Sequence, residues 1–329
     1  MIRGLYTAAS GMQSLQRQQE SLSNNLANIN TPGYKQDDAV MRSFPEQLIS
    51  RIRDSQSPDI QGWPSIPSQP AVIGGLHTGV YVPEAISNFA QGDIEQTYSA
   101  FDVALTDNLP IDPDGPVVNG KPVQPRLFFG VARLQDDAQL DQPVDPANIR
   151  YTRNGSWQVN DQGYLVTAEG YHVLDQQNRA IRVNGLQDLV GGTIDVGEDL
   201  KILPDGQLLR PDPFEPEGTY VPLTEPLNNE PGPRIGIKVV DDPYQLVREG
   251  NSVYRWEGEE VPADVSEDPA LEGFYAVRQG WIERANVDSA RTMTDMMTVL
   301  RAYEANQRVI TTLDGTLEKA ANEIGRVNG

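Results

Sequence analysis

The sequence predicts an α+β protein: long N- and C-terminal α-helices forming a coiled-coil-like axial region, with a β-rich central domain between them. Three observations predict it. Apolar residues recur at alternating three- and four-residue spacing at both ends, the middle reads as short strands between Gly-marked turns, and the excess of Asp and Glu sits in the middle alone. The expected divisions are an N-terminal axial helix and turn over 1–34, an extended connecting region over 35–75, a β-rich central domain with loop insertions over 76–280, and a C-terminal axial helix over 281–329.

At the N-terminus, Leu5, Ala8, Met12, Leu15, Gln19, Leu22, Leu26 and Ile29 follow heptad spacing with one polar interruption. Asn28-Ile29-Asn30-Thr31-Pro32-Gly33-Tyr34 ends that helix, because Pro32 blocks its continuation and Pro-Gly suits the centre of a type II turn. Ser55 to Pro70 reads as a surface excursion, and so does Pro211 to Pro233. Between them, residues 151–159 and 164–167 flank Asn160-Asp161-Gln162-Gly163 as strand, turn and strand. Residues 171–174 and 180–183 continue the pattern, and 201–209 signal a further hairpin around Asp205-Gly206. Beyond 281 there is no proline, so a helix of about forty residues is allowed, well above the globular mean. Met293, Met296, Leu300, Tyr303, Gln307 and Ile310 set one apolar register, and Leu313, Leu317, Ala320, Ile324 and Val327 continue it after a slip at Ile310. An amphipathic helix of that length needs a partner, either its own middle domain or another chain.

Charge separates the regions by function. The chain has 329 residues, with 26 Lys/Arg against 47 Asp/Glu, a net charge of −21. Residues 1–53 hold six basic against four acidic, 281–329 hold six against seven, and 54–280 hold fourteen against thirty-six. Nearly neutral ends can pack closely with copies of themselves, while the acidic middle prefers water. The sign also argues against nucleic acid as a partner. With no cysteine, disulfides and thiolate metal sites are excluded. The start lacks a continuous apolar core and no run of about 18 apolar residues occurs, so neither a cleaved signal peptide nor a membrane span is expected.

Candidate chemistry is sparse, and no enzyme activity, cofactor, metal or small-molecule substrate is expected. His77 and His172 stand in unrelated contexts without ligand spacing. The doublets Asp136-Asp137 and Asp241-Asp242 suit solvated turns, since neighbours on a strand face opposite ways. Asp112-Pro113-Asp114-Gly115 opens like a calcium loop, but Val123 holds the place of the bidentate Glu. Gly74-Gly75 and Gly191-Gly192 are followed by no phosphate-binding spacing. A secreted glycan- or peptidoglycan-binding or -cleaving protein is the alternative, with Trp63, Trp157, Trp256 and Trp281 as stacking faces. Terminal heptads have no purpose in such a protein.

Two segments carry a family resemblance. SLSNNLANINTPGYK (21–35) and WIERANVDSARTMTDMMTVLRAYEAN (281–306) look like the two signatures of the bacterial flagellar rod and hook protein family, and FDVALTD (101–107), LFFGV (127–131) and residues 151–174 resemble its central region. The resemblance implies a structural subunit of the flagellar basal-body rod, a homo-oligomeric helical polymer whose terminal helices form a hollow, torque-transmitting axle. It implies export by the flagellar type III route, and as partners the export apparatus and other rod and hook proteins. The nearest types are the proximal and distal rod proteins. A Pro- and Asp-containing insertion between Leu105 and Leu127 replaces a tight Gly-rich turn, as in variant rod proteins of Gram-positive bacteria. The expected subunit interface is Leu5, Met12, Leu15, Leu22, Asn24, Asn25, Leu26, Asn28 and Ile29 from one end, and Met293, Met296, Leu300, Tyr303, Asn306, Ile310, Leu313 and Leu317 from the other. The resemblance alone adds Tyr34 and Lys35. For the asparagines two readings stay open, bonding to neighbouring subunits or ordinary helix-end chemistry.

Overall fold

The computed structural model describes residues 2–45, 47–51, 71–76, 79–111, 115–118, 121–134, 140, 142–187, 193–212, 218–223, 232–250, 252–271 and 273–324. The protein is α+β, with one helix at each end and a β-rich centre. Helix α1 runs Ile2–Ala27 and helix α2 runs Ser289–Ile324. Contacts divide the chain into two units, one of Met1–Leu26, Asp37–Ile86 and Ser289–Gly329, the other of Ala27–Gln36 and Ser87–Asp288.

In the first unit α1 stops at Ala27, just ahead of the expected breaker. α2 begins at Ser289 rather than 281, because Trp281–Glu283 is a strand, paired with Ile94–Gln96 in the second unit. Asp288 precedes the first helical residue, a position where its side chain is favoured. A Cβ built on Gly4 would stand 3.5 Å from Leu313 Cδ1, and one on Gly11 3.2 Å from Asn306 Nδ2. The pairs advance seven residues in opposite directions, so the helices meet antiparallel at two points one heptad apart. Antiparallel ladders Gln47–Arg51 with Ala71–Leu76 and Arg42–Ser43 with Val80–Tyr81 complete the unit.

The second unit is organised by the strand Arg126–Ala132. It pairs antiparallel with Ile149–Thr152 on one edge, and with His172–Val173 and Ile237–Val240 on the other. Trp157–Val159, Leu165–Thr167, Val253–Trp256 and Leu246–Gly250 extend this sheet to eight strands. Side-chain alternation sends Leu127 and Phe129 into one core with Val103, Leu105, Trp157 and Ile237, and Phe128 and Ala132 into another with Phe89, Tyr151 and Tyr254. The uninterrupted apolar run at 127–131 therefore marks a strand covered on both faces.

The hairpin expected around 160–163 forms, with Gly163 at φ 87°, and the one around Asp205-Gly206 forms with Gly206 at φ 83°. Part of the second expected excursion folds instead, since Tyr220–Pro222 pairs with Leu208–Pro211. Of the insertion after Leu105, Val117–Val118 and Lys121–Pro122 form a small ladder. The first excursion lies wholly outside the described residues, as do His77, Trp63, Asp136-Asp137, Asp112 to Asp114 and Gly191-Gly192.

Candidate assembly surface

The first surprise in α1 is which face it buries. Ala8, Ser14, Ser21 and Asn25 are buried, whereas the leucine stripe of Leu5, Met12, Leu15, Leu22 and Leu26 is half-buried. Two extended stretches of chain, around Asp37 and over 80–82, lie against the small polar face, and their carbonyls need donors. Ser14 Oγ donates to Val80 O at 3.1 Å, Arg17 Nη1 to Val82 O at 2.6 Å and Ser21 Oγ to Asp37 O at 2.7 Å. Asn25 both donates to Asp37 O at 2.9 Å and accepts from Asp37 N at 2.8 Å. Each such bond contributes about 1 kcal/mol. Asn25 is thus committed within its own unit, while Asn24 is exposed and Asn28 is half-buried.

α2 divides its apolar residues between two faces. Thr292 and Val299 are buried, with Met296, Tyr303, Asn306, Ile310, Leu313 and Leu317 half-buried. Met293, Met297 and Leu300 are 48%, 60% and 39% exposed. Their i, i+4, i+7 spacing puts all three on one face, so the helix carries an apolar surface beyond the one its own chain covers. On α1, Tyr6 is 67% exposed.

The signature residues after α1 belong to the second unit, together with Ile29, which is half-buried. Thr31 to Tyr34 close a turn in which Tyr34 N donates to Thr31 O at 3.3 Å, and Thr31 Oγ1 donates to Asn28 Oδ1 at 3.2 Å. Gly33 sits at φ 67°, and a Cβ there would come within 2.4 Å of Asn154 N and 2.5 Å of Arg153 C. Both the dihedral and the close approach require glycine. Gly33→Ala is expected to cost more than the roughly 1 kcal/mol of a relaxed left-handed site, read as a lowered urea midpoint at unchanged slope.

Tyr34 and Lys35 are 4% and 0% exposed. The Arg248 guanidinium stacks 4.5 Å from the Tyr34 ring centroid and donates to Lys35 O. Lys35 Nζ donates to Glu283 Oε1 at 2.6 Å and to Ala90 O at 2.8 Å, and Gly92 N donates to the same carboxylate oxygen at 2.8 Å. Arg153 Nη1 lies 3.8 Å from Glu283 Oε2, while its Nη2 donates to Asp107 Oδ2 at 2.5 Å. Asp107 also accepts from Arg126 at 3.0 Å and from Leu127 N at 3.1 Å. Three cations and two carboxylates form one network, and the side chains of Lys35, Glu283, Arg153 and Asp107 are fully buried. Every segment that carried the family resemblance contributes to it.

Electrostatics follow the burial. Desolvation pushes the Lys35 ammonium down to about 8, against the pull of Glu283, with nearby Arg153 pushing the same way as burial. Desolvation raises the Asp107 carboxyl, but Arg153, the Leu127 amide and Arg126 together outweigh it and hold the group below its ordinary value.

Other candidates take structural places. His172 is buried beside Tyr164, ring centroids 6.1 Å apart, and Trp157 is core, packed edge-on to Phe129 at 5.0 Å. Asp242 accepts from Tyr244 N at 3.1 Å in a short turn. Among the described residues no three His, Cys, Asp or Glu are grouped to hold a metal ion, and no helix is long and apolar enough to cross a membrane.

Comparison with known proteins locates three of the segments that carried the resemblance, at 21–35, 151–174 and 281–306. Residues 5–35 match the flagella basal body rod protein family, 139–208 the flagellar hook protein FlgE/F/G D1 domain, and 278–323 the flagellar basal body rod FlgEFG protein C-terminal family. The chain is 32% identical to the flagellar hook-basal body complex protein FlhO of Bacillus subtilis, covering 99% of this chain and all of that one. It is 25% identical to the flagellar basal-body rod protein FlgG of Bacillus subtilis, over 98% of this chain and 99% of that protein. Against FlgG of Caulobacter vibrioides the identity is 30%, over 96% and 97%.

Proposed function

The chain belongs to the flagellar basal-body rod family and is a structural protein of the flagellar basal body, and we propose that it polymerises helically through its terminal helices into a hollow, torque-transmitting segment of the rod. The exposed Met293, Met297 and Leu300 face carries the proposal. An apolar face left open by its own chain stabilises an assembly by burial against a neighbour, and nearly neutral ends raise little charge repulsion there. The half-buried stripes of Leu5, Met12, Leu15, Leu22, Leu26 and Ile29, and of Met296, Tyr303, Asn306, Ile310, Leu313 and Leu317, line the coiled-coil-like contacts. Asn24 and Asn28 supply polar contacts at the rim.

The neighbours in this reading are copies of the chain and other rod and hook proteins, reached after passage through the flagellar export apparatus. The role is mechanical and involves no catalysis. The glycan-binding alternative gains no support, since Trp157 is core and the relatives are named as basal-body proteins.

Deletion of 290–329 is the direct experiment. It leaves the second unit, including Glu283, complete. Purified truncated protein is expected to keep cooperative unfolding by circular dichroism, yet form no polymer by sedimentation or electron microscopy. Normal polymers from the truncated chain would refute assembly through α2.

A further inference from the structure

The acidity of the chain has a focus. Residues 241–272 contain ten Asp/Glu and two Lys/Arg, and of those two, Arg248 turns onto Tyr34 while Arg255 Nη2 donates to Glu257 at 2.5 Å. Within the second unit this stretch borders a groove of about 970 Å³. Its apolar lining includes Leu109, Val239, Trp256 and Leu271, with Ile111 and Val261 49% and 56% exposed. Asp241, Asp242, Glu259, Glu260, Glu267 and Asp268 also line it, and among the described residues no Lys or Arg does. The nearby cation Lys238 is buried and committed to Asp264 at 3.2 Å.

We propose that this groove docks a segment of another protein in which Lys or Arg residues flank an aliphatic side chain. Carboxylates around an apolar floor concentrate a negative potential where water is partly excluded, and a cationic partner relieves the repulsion among them while burying the floor. Simple cations are the poorer occupant, because the carboxylates do not converge as ligands. Nucleic acid and anionic lipid carry the wrong sign, and a second copy brings a net charge of −21 of its own.

The test uses the full chain and a fluorescein-labelled twelve-residue peptide alternating Arg and Val, followed by fluorescence anisotropy. A Lys/Gly peptide of equal charge and a Glu/Val peptide are the comparisons. The Arg/Val peptide is expected to bind at least tenfold tighter than the Lys/Gly peptide, with affinity falling steeply between about 50 and 200 mM salt, and the Glu/Val peptide not to bind. Glu259→Lys with Glu260→Lys is expected to weaken binding at least tenfold, and Val261→Ser about threefold. Asp93→Lys with Glu95→Lys, exposed in the same unit but outside the groove's lining, should change it less than twofold. Urea unfolding of each variant separates lost binding from lost fold. Equal weakening by both charge-reversal pairs would reduce the effect to overall charge and overturn the proposal. So would absence of binding, or self-association of the wild type that the Glu259/Glu260 variant abolishes, which would make the occupant a second copy.

Discussion

Replacing Glu283 by alanine is expected to destabilise the second unit by about 3–5 kcal/mol, a large part of the stability of a domain of this kind. The carboxylate is fully buried and accepts from Lys35 and from Gly92 N, with Arg153 at 3.8 Å. Its removal strands two cations and an amide in a dry interior. Glu283→Gln serves beside it as the milder variant: it keeps the shape and the Gly92 bond, and is expected to lose less. Pairing Lys35→Met with Glu283→Leu removes both charges together and should recover most of the loss, since an apolar pair of similar volume needs no hydration. Urea unfolding followed by tryptophan fluorescence reads all three. A Glu283→Ala protein within about 1 kcal/mol of wild type would show that the network contributes little to stability.

The same network sets a pH signature. Lys35 releases its proton near 8 in the folded chain and near its ordinary 10.5 unfolded, so the unfolded state binds more protons between those values. Its contribution to stability therefore rises as pH is raised from 8 to 10.5, and this rise is expected to disappear in the Lys35→Met protein. Asp107 acts in the other direction along the scale. Its folded value is depressed, so its contribution is present above the ordinary carboxylate range and is lost as pH falls through the folded value.

The second large effect is on assembly. Leu300→Asp is expected to abolish rod assembly and motility while leaving the soluble chain folded and normally expressed. In the free chain the carboxylate stands on a partly exposed helix face, where a substitution costs about half a kcal/mol or less. In the polymer proposed here it would be buried without a partner, at a cost of several kcal/mol per subunit contact. Thr298→Asp is the control, an exposed position about 140° around the helix from Met293, and motility is expected to survive it. Swarming assays with electron microscopy of basal bodies decide the matter, and normal basal bodies carrying Leu300→Asp would sink the tube reading.

Local pattern carried much of the fold. The hairpins around Gly163 and Gly206 and the stop after Ala27 were legible because each depends on neighbouring residues alone, whereas the strand at 127–131 entered only through the family resemblance. α2 was read eight residues too long because Trp281-Ile282-Glu283 contains no breaker, and its strand identity comes from pairing with 94–96 far away in the chain. On α1 the polar serines were invisible as a buried face, since their partners are main-chain carbonyls that no side-chain pattern reveals. The charge network was hidden for another reason, that its ion-paired side chains lie far apart along the chain. Its only sequence signals are a lone Lys after Gly-Tyr and a lone Glu after Trp-Ile, acids and bases set among aromatic residues where solvent exposure is not expected.

Lys35 and Glu283 are 248 positions apart, and their bond closes a loop containing nearly the whole second unit. Contacts so distant along the chain form late, because the entropy of bringing the ends together must be met before the contact returns anything. Synthesis runs from the N-terminus, so Lys35 has no Glu283 to meet until residue 283 has emerged. The second unit therefore has no route to its final topology on a nascent chain that stops short of the C-terminal signature, and its last step of closure is timed by the making of that signature.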